Sequence, residues 1–419
     1  MRLLSLFGIT FFLMVSCQSD GPMSMQDPLS PQQIEGLDNL FGFFDDHAYD
    51  PQRQAYWSDL DNAGQVMSEQ IFTVATSRLV YGLAYAGQWD SLRLAKSEAL
   101  AEFQLNHLIG LNEQGPYAYS FVHGDSPDSA ASLDVWQQAY AMCGLTELYR
   151  QNQDPALIAQ VRVMHDAFVG RFADSLNGGF WGNADLHQGP VSGSKSLQSL
   201  MYPLTAYLAN LWLADETRRE DYESILARNL ELLAEGGWNE ELGWVNVKFQ
   251  DDWTPCASSD SANPCAMVTP GHNFQLAALL LRASEWPFIQ EVQQTEYHGL
   301  GISILRRTLQ HPIFDPQGIG QGFYSEVNPI SGSVTDTRKT WWQHAEAIIA
   351  LTLAGEAFQT EQQALLDFFW EHFPDRELGG EYFFLTKDNQ PIRTEWKGSI
   401  GKSTYHTVEM VRFLHEQPK

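Results

Sequence analysis

Glycine-plus-aromatic punctuation recurs along this 419-residue chain and limits its fold more than any other feature. It falls at Tyr56-Trp57, Gly115-Pro116-Tyr117, Gly178-Gly179-Phe180-Trp181, Gly236-Gly237-Trp238, Gly322-Phe323-Tyr324 and Gly379-Gly380-Glu381-Tyr382. The intervals are 59, 63, 58, 86 and 57 residues, so all but one lie near sixty. Between the marks run helical patterns: Gln70 to Ala86, Leu133 to Arg150, Leu197 to Ala214, Gly271 to Ala283 and Thr340 to Ala354. Two helices and a short hairpin fill sixty residues well. One such unit cannot bury its apolar face alone, so six imply an all-α toroid, an (α/α)6 barrel with short β-hairpins in its loops. The expected organisation is a signal peptide over 1–17, a flexible tether over 18–34 and one barrel domain over 35–419.

Hydrophobic residues at 44% and aromatics at 12% can supply that core, which a disordered chain could not. Fifty-two acidic against 25 basic residues give a formal charge of −27. That charge argues against nucleic acid and anionic lipid as electrostatic partners. Arg2 precedes an apolar run from Leu3 to Val15, too short to span a bilayer comfortably. The run ends Leu13-Met14-Val15-Ser16-Cys17, which looks like a bacterial lipobox. The resemblance implies an exported protein, lipid-anchored through Cys17 and facing the periplasm or the cell exterior; an ordinary cleaved signal is the alternative. Cys256 and Cys265 bracket a polar loop and are expected to pair in an oxidising compartment. Cys143 sits in an apolar pattern and reads as a buried free thiol.

On helices that a toroid should bury, the polar exceptions are informative. Arg78 falls within a stripe of Ile71, Val74, Ala75, Tyr81 and Tyr85, so it is either ion-paired inside the barrel or held for an anionic or hydroxylated ligand. Glu346 shares a helical face with Trp342, Gln343 and Ile349; pairing with Lys339 or Arg78 and a chemical role are both open. His272 follows Pro270-Gly271 and opens an apolar helix, with Gln275 on the same face. A helix N-terminus disfavours imidazolium, so His272 should stay neutral, as a general base must. His406 begins the last apolar helix. The loop Gly398-Ser399-Ile400-Gly401-Lys402-Ser403-Thr404 ends like a P-loop but has only two residues between its glycines, so it is no nucleotide site.

Four segments together resemble the N-acylglucosamine 2-epimerase superfamily: Ser77-Arg78-Leu79-Val80-Tyr81, Pro270-Gly271-His272, Lys339-Thr340-Trp341-Trp342-Gln343-His344-Ala345-Glu346-Ala347, and Trp396-Lys397-Gly398 with Tyr405-His406-Thr407. The resemblance runs in order from about residue 35 to 415 and includes cellobiose 2-epimerases, mannose isomerases and sulfoquinovose isomerases. It implies an (α/α)6 barrel and a metal-independent 2-epimerase or aldose–ketose isomerase acting through an enediolate, with a mono- or disaccharide as substrate and no cofactor. Two departures stand out. Gln275 occupies the last position of a commonly His-x-x-Glu segment, and Tyr202 aligns where a histidine is usual. Abstraction of a proton α to a carbonyl needs a neutral imidazole and a group that stabilises the oxyanion. His406 and His272 are the expected proton-transfer groups and Arg78 the oxyanion partner. Trp341, Trp342 and Trp181 are expected as apolar platforms for a sugar ring, and Gln275 as the group that orients His272. Two other classes fit the scaffold: an (α/α)6 glycoside hydrolase using a carboxylate pair such as Asp134 and Glu346, and a non-catalytic carbohydrate-binding lipoprotein.

Overall fold

Helices buried on nearly every side alternate with helices buried on one side only, and this sorts them into two rings. The computed structural model describes residues 29–124, 126–128, 131–256, 268–314 and 317–416. In chain order the helices are α1 (Pro31–His47), α2 (Thr73–Ala86), α3 (Ser91–Phe103), α4 (Val135–Tyr140), α5 (Cys143–Asn152), α6 (Pro155–Phe172), α7 (Leu197–Pro203), α8 (Ala209–Ala214), α9 (Arg219–Gly236), α10 (Pro270–Ala283), α11 (Glu291–Gln310), α12 (Trp341–Leu353), α13 (Gln359–His372) and α14 (Tyr405–Glu416). Every residue of α2 is buried, whereas α3 buries only Ser97, Leu100, Ala101 and Phe103. The inner ring is α2, the pair α4–α5, the pair α7–α8, α10, α12 and α14. Neighbours pack α2 on α5, α4 on α7, α10 on α12, α12 on α14 and α14 back on α2. The gap between α8 and α10 is bridged by Arg282 donating to Asn210 Oδ1 at 3.1 Å. Outer helices α3, α6, α9, α11 and α13 each pack on the inner helix before them, and α1 packs on α14. This is the expected (α/α)6 barrel.

Local signals set the helix starts. Ser30 and Gln33 form a capping box with Pro31 at the first turn, so the tether expected to reach residue 34 gives way to helix at Pro31. The inner ring is tight enough to need glycine at one crossing. A Cβ on Gly144 of α5 would fall 2.1 Å from the Ser77 carbonyl oxygen of α2, closer than any side chain permits.

The Gly-aromatic marks are structural repeats. After α6 and again after α13, an aspartate caps the turn and a buried lysine reaches it. Lys195 Nζ lies 2.6 Å from Asp174 Oδ2, and Lys397 Nζ lies 2.7 Å from Asp375 Oδ2. Trp181 N–H donates to Phe172 O and Tyr382 N–H to Phe373 O, at 2.8 and 2.9 Å. Short antiparallel hairpins such as Ile109–Asn112 with Gly115–Ala118 fill the loops between helices.

Cys17, with the signal and lipid-anchor expectations, lies outside the described residues, as does Cys265. Cys256 carries a free thiol in this structure and Cys143 is free and buried.

Candidate active site

The first two turns of all six inner helices line one cavity of about 670 Å³, within the range of small-ligand sites, roughly 300–1,000 Å³. Arg78 of α2, Trp136 of α4, Tyr202 of α7, Gln275 of α10, Trp341 of α12 and His406 of α14 each contribute a wall. Helix N-termini gathered around one space favour negative charge there and disfavour cations on nearby imidazoles.

Arg78 is 4% exposed and, among the described residues, forms no ion pair. Its guanidinium carbon lies 4.1 Å from the ring centroid of Tyr140 and 5.1 Å from that of Tyr405. Nη1 donates to the Gly401 carbonyl, while Nε is buried without a hydrogen-bond partner. A cation so placed is held by aromatic faces and a carbonyl dipole, with no carboxylate to neutralise it. The pairing with Glu346 weighed for it does not form.

Glu346 is instead the partner of His406. Its Oε1 lies 2.9 Å from His406 Nδ1, with both side chains nearly buried. A carboxylate only accepts, so the proton of neutral His406 sits on Nδ1 and the lone pair on Nε2. Burial lowers the pKa of His406; the Glu346 bond opposes this and the Arg78 charge reinforces it. Lys339, the other expected partner of Glu346, hydrogen-bonds Gln321 O and Asn389 Oδ1, both at 2.6 Å.

His272 is partly exposed beside Trp342, with their ring centroids 5.7 Å apart. Its Nε2 lies 3.3 Å from Tyr202 Oη and its Nδ1 is buried with no partner. Tyr202, Gln275 and Trp342 line the cavity around it, and His272 keeps more exposure than Tyr202 or His406. Burial, partly offset by Glu346, lowers its pKa to about 4, so the imidazole is neutral as expected, with desolvation as the main cause. Gln275 makes no hydrogen bond to His272, and its Oε1 is buried unpartnered. It therefore does not orient that ring. The Gly271 N–H is fixed by Gln343 Oε1 at 2.8 Å.

The loop that mimics a P-loop organises the wall instead. Gly401 O receives Arg78, and the next residue, Lys402, is buried behind Trp341. Lys402 Nζ lies 3.8 Å from the centroid of Trp341 and 3.9 Å from Glu381 Oε2. Burial, offset by Glu381, lowers the pKa of Lys402 to about 7.

Residues 55–410 match the N-acylglucosamine 2-epimerase (GlcNAc 2-epimerase) family. The chain belongs to this family. It is 22% identical over 402 residues to the N-acylglucosamine 2-epimerase of Bos taurus, covering 91% of this chain and 89% of that one. The fold is similar to that of cellobiose 2-epimerase from Bacillus thermoamylovorans B4167, with a TM-score of 0.77 at 17% identity over 92% of this chain and 98% of that one. It is likewise similar to a D-mannose isomerase, with a TM-score of 0.76 at 17% identity over 91% and 96% of the two chains.

Within this member of the N-acylglucosamine 2-epimerase family, Trp341, Trp342, Tyr202, Gln275, Arg78 and His406 all line the one cavity. Trp181 does not. Lys195 Nζ lies 4.6 Å from its ring centroid, so the indole covers the buried Lys195–Asp174 pair of the repeat. The carboxylate pair that a hydrolase would need is engaged otherwise. Glu346 holds His406, and Asp134 caps α4 by accepting from Trp136 N and Gln137 N at 2.9 and 3.2 Å. Sequence reasoning missed Tyr140, the platform under Arg78, and Phe383 and Ile400 on the rim. Tyr140 had a signal, as an aromatic beside Ala139 and Ala141 in an apolar helical stretch; the other two come from loops and had none.

Proposed function

We propose that the protein is a sugar 2-epimerase or aldose–ketose isomerase working on an open-chain mono- or disaccharide. The observation that carries this is a neutral, carboxylate-held imidazole, His406, in one cavity with a guanidinium that has no carboxylate partner. In the step proposed, His406 Nε2 takes the C2 proton, the C2–H electron pair forms the C1=C2 bond, and the carbonyl electrons move to oxygen. Arg78 stabilises the oxyanion that results, an interaction stronger in the transition state than in the ground state. Glu346 stabilises the imidazolium formed. Return of the proton to C1, with passage of the O2 proton to the O1 oxyanion, gives the ketose; delivery of a proton to the opposite face of C2, as the O1 oxyanion re-forms the carbonyl, gives the epimer. Trp341 and Trp342 offer apolar faces to the sugar. The engagement of Asp134 and Glu346 counts against hydrolysis. The lipobox-like segment ending at Cys17 supports placing the enzyme on the outer side of a bacterial membrane, held by lipid.

The test is incubation of reducing monosaccharides and β-linked disaccharides in deuterated water. Deuterium at C2 of recovered sugar, lost in His406→Asn, is expected. A wild type that exchanges no sugar's C2 proton would overturn the reading and favour a carbohydrate-binding protein.

A further inference from the structure

Behind one wall of the cavity lies a cation that the reaction above does not use. Lys402 is 1% exposed, and its Nζ has no hydrogen-bond partner. Two contacts hold the ammonium: the Trp341 ring, whose centroid is 3.8 Å from Nζ, and Glu381 Oε2 at 3.9 Å. Trp341 borders the cavity and Lys402 does not, so the ammonium is one indole away from the sugar. Glu381 is buried too, and its two oxygens accept from Thr407 Oγ1 at 2.7 and 2.9 Å. The backbone of the loop is locked, with Lys402 N–H donating to Ser399 O and Ser399 N–H to Lys402 O, both at 3.1 Å. Between them Gly401 presents its carbonyl to Arg78. One short loop therefore brings the acceptor for one cation and a second cation to the same wall.

A buried ion pair with so few hydrogen bonds is commonly no more stable than apolar side chains of the same volume, so stability does not account for it. An amine facing the cavity would supply the same charge. A neutral amine touching an open-chain sugar, however, adds to the C1 carbonyl and forms an imine as water leaves. The indole blocks that contact, while electrostatic attraction acts without contact. We propose that Lys402 serves the reaction through Trp341, as a shielded second cation that adds to the stabilisation of the enediolate oxygens by Arg78 without reacting with the sugar aldehyde. It is a positioning residue, and the inference rests on the enediolate reading above. A unit charge about 8 Å from an oxyanion, at an effective dielectric of about 20, changes the rate roughly 30-fold, and a counter-charge about 4 Å further off reduces this to roughly 3-fold.

The charged and titratable groups around Lys402 are Glu381, Lys397, His406 and, through Gly401, Arg78. Burial lowers the pKa of Lys402, with Glu381 opposing and Lys397 reinforcing, to about 7. Its charge in turn lowers that of His406. Wild-type kcat/KM should therefore step down as pH rises through about 7 and the ammonium is lost.

The test is the double variant Lys402→Met with Glu381→Gln, which removes both charges and keeps an acceptor for Thr407. It should melt close to wild type and lose roughly 3- to 30-fold of kcat below the step. It should also lack the step, and its acid limb, set by His406, should move to higher pH. Glu381→Gln alone keeps the cation and should move the step to lower pH. A step that persists in the double variant, or an unchanged kcat, overturns the inference and leaves enediolate chemistry standing; absence of C2 exchange by the wild type overturns both. Trapping with a reducing sugar and cyanoborohydride gives a readout that needs no turnover. Trp341→Ala should acquire a sugar adduct at Lys402, mapped by peptide mass, and the wild type should not; equal labelling of Lys402 in the wild type overturns the shielding.

Discussion

Glu346→Gln isolates what the carboxylate does for His406. The amide oxygen can still accept from Nδ1 across the 2.9 Å contact, so the ring keeps its place and tautomer. What disappears is the attraction between a carboxylate and the imidazolium that forms when the C2 proton is taken. A hydrogen bond to a charged group contributes about 1.5–3 kcal/mol and a neutral one about 1. The difference, about 0.5–2 kcal/mol, appears at the transition state, and kcat should fall roughly 2- to 30-fold. The pH profile gives a second, independent sign. Activity needs neutral His406, so the acid limb of kcat/KM rises with pH through its pKa. Burial and Arg78 lower that pKa while Glu346 raises it; without Glu346 the limb must move to lower pH. The variant should therefore be slower on its plateau yet hold its activity further into acid. The assay is C2 proton exchange followed by NMR at a series of pH values. An acid limb that stays put or moves upward, or an unchanged plateau, refutes the pairing as a catalytic one.

Arg78→Lys keeps the charge but loses the flat stacking on Tyr140 and should lower kcat on the order of 10²-fold with little change in melting temperature; wild-type turnover would refute its role. Trp342→Ala should raise KM about tenfold through loss of an aromatic contact, whereas Trp181→Ala should lower the melting temperature and leave KM unchanged, because that indole covers Lys195. Acid should unfold the protein early. His165 and His272 are lowered to about 4 and His344 to about 3, chiefly by burial, so the unfolded chain binds protons there that the folded one does not. Stability should fall as pH drops below the unfolded value of about 6.5, by up to about 1.4 kcal/mol per pH unit per histidine, until each folded pKa is passed; a flat urea midpoint between about pH 6.5 and 4 would contradict this. Cys17→Ser should abolish membrane fractionation and acylation if the lipobox reading holds, and unchanged fractionation would refute it.

The barrel was legible because its signals are periodic. Six marks, with all but one interval near sixty residues, and five apolar helical stretches give ring, order and inner face together. Arg78, Glu346 and His406 were legible because a polar group on a helix buried on all sides has no structural excuse. Pairing was not legible. On a helical wheel Lys339 and Arg78 are as good partners for Glu346 as His406, and only the crossing of α12 with α14 chooses. The contact between His272 and Tyr202 was not legible either. The two lie seventy residues apart in the chain, and no local pattern brings them together. Trp181 misled because an aromatic in a Gly-Gly-Phe-Trp mark fits a sugar platform as well as a cover, while its use is to cover a buried lysine that arrives fourteen residues later.

The two ends of the inner ring treat charge in opposite ways, and this bears on how the site works. Tyr81 lies one turn beyond Arg78 on α2 and hydrogen-bonds Glu409. Near it Arg412 lies 3.4 Å from Glu409, 3.0 Å from Glu416 and 3.9 Å from Glu147. Removing one partner from such a buried set is expected to destabilise by about 3–5 kcal/mol, so this end is fixed. At the cavity end, buried polar atoms lack hydrogen-bond partners: Arg78 Nε, His272 Nδ1, Gln275 Oε1, Trp341 Nε1 and Lys402 Nζ. Donors predominate in that set, and the one guanidinium within it has no carboxylate beside it. Water would solvate these groups only by reorganising at each turnover, whereas a rigid ring holds them oriented before charge develops. The closed end thus supplies the rigidity that allows the open end to carry unneutralised positive charge, and an oxyanion forming at C1 or C2 of a sugar is the chemistry that such a field stabilises.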